Sequence, residues 1–82
     1  MPRLARRPAV DHAVASFNAR QQPGRWIPLG EYRGPSGADS AAFRIRTAYR
    51  EAAKHYAPAG AFDARTERTD NGTTVWVRYQ PT

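Results

Sequence analysis

Residues 39–56 read DSAAFRIRTAYREAAKHY, the longest amphipathic run in the chain. At 100° per residue, Ala41, Ala42, Ile45, Ala48, Tyr49, Ala52, Ala53 and Tyr56 fall on one broad side. That is the i, i+3, i+4, i+7 spacing of a helix laid on a core. Alanine and arginine are good helix formers, so propensity and pattern agree on a single helix over 39–56. Asp39 or Ser40 suits its N-terminus, where an acid complements the dipole, and Pro58 and Gly60 stop it. The alanines would let a sheet approach closely, and Ile45, Tyr49 and Tyr56 would supply the bulk.

On the opposite side Arg46, Arg50 and Lys54 recur at i, i+4 and i+8, with Phe43 and Thr47 beside them. Glu51 interrupts the positive charge on a flank shared with Arg44 and His55. Such a stripe fits a phosphate backbone. It is also the ordinary polar face of a surface helix.

Working outward, residues 61–80 carry the clearest local signal. Asn71 and Gly72 between two alternating runs predict a hairpin with a two-residue turn. That turn sets Thr66 opposite Val77, Ala64 opposite Tyr79 and Phe62 near Pro81. Val75, Val77, Tyr79, Phe62 and Ala64 then share the face that packs on the main helix, and Trp76, Arg78, Arg65, Glu67 and Thr74 share the other. If the first helix covers that second face, Trp76 joins Trp26 in a second core. Otherwise Trp76, Arg65 and Arg78 form a partner surface, with Phe43 on the main helix as an alternative centre.

Upstream, residues 8–22 form a second helix candidate, with Pro8 at a first-turn position and Val10, Ala13, Val14 and Phe17 at helical spacing. Residues 25–33 (RWIPLGEYR) read as a short strand, and Pro28, which cannot donate a ladder hydrogen bond, places it at a sheet edge or makes it irregular. Gly34, Pro35, Ser36 and Gly37 read as a loop into the main helix. They lack the spacing and the lysine of a phosphate-binding loop. Residues 1–7 (MPRLARR) have no amphipathic period and read as a mobile basic arm, whose Arg3, Arg6 and Arg7 could enter a DNA groove.

Eighty-two residues make one domain with a small core, here taken as residues 8–82. There are no cysteines, which excludes a disulfide framework and a thiolate metal site. No apolar run reaches membrane-span length and no signal-peptide core follows the N-terminus, so a cytoplasmic location is expected. The net charge is +6, and Lys54 is the only lysine. The excess is +4 over residues 1–25, +2 over 26–60 and zero over 61–82. Arginine offers a planar donor fork suited to phosphate, although a GC-rich genome produces the same bias.

No paired-carboxylate, HExxH, GxSxG or metal-ligand pattern is present, so no enzyme activity, metal or cofactor is expected. His12 and His55 lie far apart in sequence and lack an orienting acid. GRWIPLGEYRG, the alanine- and arginine-rich helix, HYAPAGAFDAR and the terminal VWVRY together resemble small basic proteins of actinobacteria and their phages, over about residues 24–80. The markers are Trp26, Pro28, Leu29, Tyr32, Tyr56, Pro58, Gly60 and Phe62. The resemblance implies a short accessory gene product, often phage-related, and carries over no functional residues.

The fold expected is α+β, in the order α-β-α-β-β, with a three-stranded, mainly antiparallel sheet on one long amphipathic helix. The function expected is binding of nucleic acid, duplex DNA with low sequence specificity, through Arg46, Arg50 and Lys54 aided by Arg3, Arg6 and Arg7. The alternative is a protein-interaction module that binds an acidic host protein, or itself as a homodimer, through Trp76, Arg65, Arg78 and Phe43.

Overall fold

A computed structural model describes residues 10–80. Helix α1 (His12–Gln21) leads to strand β1 (Ile27–Tyr32) and helix α2 (Pro35–Thr47). A 3-10 turn (Arg50–Ala52) and the short helix α3 (Ala53–Tyr56) follow, then the hairpin β2 (Phe62–Thr69) and β3 (Gly72–Tyr79). The sheet order is β1-β3-β2, with both pairings antiparallel. The chain is thus a small α+β domain with a three-stranded antiparallel sheet. Pro28 sits on an edge strand, next to a register shift between Pro28 and Gly30, where its missing N–H costs least. Arg3, Arg6, Arg7 and Pro8 lie outside the described residues.

The single helix over 39–56 does not form. α2 starts earlier, with Pro35 in its first turn and Gly34 as an extended N-cap that makes no side-chain cap bond. Proline's fixed φ is already helical, so Pro35 rather than Asp39 opens the helix. α2 ends at Ala48, which is left-handed at φ 51. Tyr49 is extended, and Arg50 is again left-handed at φ 51. The carbonyls at the break are satisfied: Tyr49 N–H donates to Arg44 O at 3.0 Å, Ala48 N–H to Ile45 O at 3.3 Å and Gly60 N–H to Arg46 O at 3.0 Å. That is how a helix end disposes of acceptors that have lost their intrahelical donors.

The cause of the break is Tyr56. A continuous helix would carry its Cα about 13 Å past Thr47 along the axis, at 1.5 Å per residue. Instead the chain turns back and places Tyr56 at 0% exposure, edge-on to Phe62 at 5.0 Å between centroids. Burying so large a ring outweighs two left-handed residues of roughly 1–2 kcal/mol each. Tyr49, expected inside, is consequently 44% exposed and lies against Phe43.

The core comprises Tyr56, Phe62, Ile45, Val75 and Val77, with Ala38 and Ala42 of α2 against the sheet. α1 also departs from expectation. Val14 and Phe17 are exposed, and Ala15, Ser16 and Ala19 are buried. Asp11 caps the helix by accepting from Val14 N–H at 3.1 Å, which starts it at His12. The inward face is then His12, Ala15, Ser16 and Ala19, a second i, i+3, i+4, i+7 set. Its small side chains suit the space left by Tyr56 and Phe62. The hairpin register differs by two residues from the expected one: Thr66 pairs with Val75, Ala64 with Val77 and Phe62 with Tyr79. The loop is Asp70 and Asn71, neither of which has positive φ, while Gly72 adopts φ 154. A shift of two preserves every facing, so the core face survives the error. Gly72 takes this role because a Cβ there would collide with the Tyr32 carbonyl of β1.

Candidate functional site

The helix stripe fails first. Arg46 reaches across to the sheet and donates from Nη1 to the Ala64 carbonyl at 2.9 Å. Arg50 follows the break and lies over the Tyr49 ring at 5.0 Å. Lys54 pairs with Glu51 at 3.1 Å, an exposed contact of the kind that contributes little to stability. The i, i+4, i+8 alignment needs continuous helix, and the left-handed residues at 48 and 50 remove it. Phe43 projects on this side with Tyr49, 6.4 Å between ring centroids, and belongs to a different surface from Trp76.

The opposite face of the sheet is where the tryptophans and arginines converge. α1 and α2 both pack on the Phe62, Val75 and Val77 face: Arg20 of α1 lies over Phe62 at 4.9 Å and Tyr79 at 5.7 Å, and α2 contacts β2 and β3. No described element packs on the other face. There the register sets Arg65 opposite Trp76 and Asp63 opposite Arg78, with Pro28 of β1 next to Trp76. Trp26, just before β1, lies under two guanidinium groups, Arg65 Cζ at 4.6 Å and Arg78 Cζ at 4.4 Å from its ring centroid. Arg78 is held further by Asp63 Oδ2 at 3.2 Å and Gln80 Oε1 at 3.1 Å. Trp76 Nε1 donates to Glu67 Oε1 at 3.1 Å, and Thr69 donates to Glu31 Oε2 at 2.6 Å.

Compared with protein families, curated proteins and solved structures, the chain finds no match. The functional reading therefore rests on the geometry alone.

This geometry is a fixed aromatic platform. Two cation–π contacts hold the Trp26 indole, each worth roughly 0.5–1 kcal/mol at an exposed site. The cross-strand pairs lock the remaining side chains in register. Trp76 and Trp26 are half-buried, whereas Arg65 is exposed. The charges on the face are Arg65 and Arg78 against Asp63, Glu67 and Glu31. The chain's positive excess therefore lies elsewhere.

Sequence reasoning reached Trp76, Arg65 and Arg78 through the period-2 alternation. It missed the anchoring role of Trp26, whose capping by two arginines depends on β1 pairing with β3 rather than with β2. It also missed the histidines. His12 and His55, 43 positions apart in the sequence, stack with ring centroids 6.3 Å apart at a 16° interplanar angle. The His12 Nδ1 to Tyr56 hydroxyl hydrogen bond is 2.9 Å. Among the described residues, no three His, Cys, Asp or Glu side chains are grouped to hold a metal ion, and no helix is long and apolar enough to cross a membrane.

Proposed function

We propose that the protein is a binding module that docks a partner protein of mixed polarity on the face of its sheet that no described element covers. The observation that carries this reading is the placement of both long helices on one side, which leaves Trp26, Trp76, Arg65 and Arg78 together on the other. Tryptophan and arginine are the residue types that dominate binding hot spots. The carboxylates on the face disfavour a polyanion and favour a partner of mixed polarity. Arg78 is occupied by Asp63. Arg65, stacked and exposed, is the guanidinium placed to take a carboxylate from the partner.

A photo-crosslinking residue at Thr74, on the open face, and another at Phe17, on the far side, test the reading in nuclease-treated extract. The expected result is one protein, other than this chain, crosslinked from position 74 and not from 17. The complex rebuilt from purified components should weaken about tenfold or more with Arg65→Glu or Trp76→Ala, about 1.4 kcal/mol or more. Equal capture from both positions overturns it, as does crosslinking only between copies of the chain.

Binding of nucleic acid through Arg46, Arg50 and Lys54 with Arg3, Arg6 and Arg7 is the second reading, and what supports it is the net charge of +6. Its mark is a salt dependence with a log–log slope of roughly −3 for three or four phosphate contacts. Arg65→Glu would then matter no more than any other charge change.

A further inference from the structure

A cavity of about 380 Å³ lies between α1, α2 and α3, on the side of the molecule away from the tryptophan face. His12, Tyr32, Arg44, Lys54 and His55 line it, above a floor that includes Ala41, Ile45 and Ala52. These polar groups come from α1, β1, α2 and α3, and none belongs to the docking face described above. We propose that this cavity binds a small organic acid, with its carboxylate held by Arg44 and the two imidazoles and its apolar body on Ile45 and Ala41.

Four features support that ligand class. Arg44 supplies a fork for a carboxylate, and it is exposed at the rim rather than tied into the sheet as Arg46 is. The one carboxylate in the lining, Glu51, is drawn off by Lys54 at 3.1 Å, so the pocket keeps a positive balance. The Tyr56 hydroxyl holds His12 Nδ1 at 2.9 Å, leaving Nε2 as the nitrogen available to a ligand. The floor of alanines and Ile45 rewards an apolar body, which a bare inorganic anion lacks.

Stacked imidazoles also make binding sensitive to protons. Desolvation lowers the pKa of His12 first, and the charge of His55 lowers it further, against a smaller raising effect from Asp11. A bound carboxylate offsets the cost of charging the partly desolvated His12 ring, so binding draws in a proton and tightens as pH falls. The charged and titratable groups facing the pair are Asp11 of the α1 cap, Tyr32 of β1, Arg44 of α2, and Glu51, Lys54 and Tyr56 of the segment after the break.

The test is titration of the full chain with benzoate, followed by backbone and imidazole NMR shifts. Benzyl alcohol serves as the neutral isostere and inorganic phosphate as the bare anion. Saturable shifts centred on Ala41, Ile45, Arg44 and the two histidines are expected, with benzoate about tenfold or more tighter than either control. Arg44→Gln should weaken benzoate several-fold. Binding should be several-fold tighter at about pH 6 than at about pH 8 in the parent, and His12→Gln should flatten that dependence. Phosphate or benzyl alcohol binding as well as benzoate overturns the proposal. So do shifts spread equally to Arg33 and Arg68 at the hairpin end, or an Arg44→Gln variant, folded by circular dichroism, that binds as the parent does. Because Arg65 and Trp76 lie on the other side, Arg65→Glu should leave benzoate binding unchanged, which separates this site from the docking face.

Discussion

Replacing Ala48 by glycine puts the break in the central helical segment to a test of sign. Ala48 sits at φ 51, a conformation that costs an L-residue roughly 1–2 kcal/mol and costs glycine almost nothing. Two effects oppose the gain. Glycine enlarges the unfolded ensemble, at a cost of roughly 0.4–1 kcal/mol. Ala48 is half-buried, so the lost methyl costs about 0.4 kcal/mol at about 0.8 for full burial. The balance is a stabilisation of about 0.5 kcal/mol, which for a domain of this size raises Tm by about 2–4 °C. On a continuous helix over 39–56 the same substitution would cost about 1 kcal/mol for glycine in a helix interior, plus the methyl, lowering Tm by about 5–10 °C. Ala53 is the internal control, exposed and right-handed at φ −60, where glycine should destabilise by up to about 1 kcal/mol. Thermal circular dichroism and urea titration of the two variants measure both signs. A fall in Tm of several degrees for Ala48→Gly, matching Ala53→Gly, would refute the left-handed break and the placement of Tyr56 that depends on it.

Three further predictions follow from the fold. Gly72→Ala drives a methyl into the Tyr32 carbonyl and should destabilise by about 1–3 kcal/mol in urea titration, with the loss of hydrogen-exchange protection concentrated where β1 meets β3. Fold stability should fall with acidity in the imidazole range: the pKa of His12 is lowered in the folded state, mainly by burial, so the unfolded chain binds more protons. The His12 contribution is therefore complete above the ordinary imidazole value near 6.5 and is lost as pH drops through the lowered folded value. Comparing the parent with His12→Gln across that window isolates it, and an equal fall in both would show that carboxylates cause the change. Removal of the Arg46 guanidinium in Arg46→Met keeps the stem and deletes the bond to Ala64 O. A loss of about 1 kcal/mol is expected, whereas a residue merely waiting for phosphate would give no loss at all.

The amino-acid sequence by itself determined what is local or periodic. Alternation of Val75, Val77, Phe62 and Ala64 against Trp76, Arg78 and Arg65 assigned both faces of the hairpin, and the faces held although the register moved by two residues, because side-chain direction repeats every two. Pro28 marked its strand as an edge, since a missing N–H is tolerated there. The alanines and Ile45 identified the buried side of α2. What only tertiary structure decided are the features where a distant demand overrides local preference. Nothing between Thr47 and Glu51 breaks a helix by composition; the chain breaks there because Tyr56 has to reach the core beside Phe62. The same event scattered Arg46, Arg50 and Lys54. It also brought His55 beside His12, a contact between residues 43 positions apart that no local pattern encodes. The inward face of α1 was ambiguous for a similar reason: its larger apolar residues suggested one side, and the volume already filled by Tyr56 and Phe62 admitted only the small residues of the other. Local chemistry sets which way a side chain points along its own element, and competition for one small core sets where each element must stop.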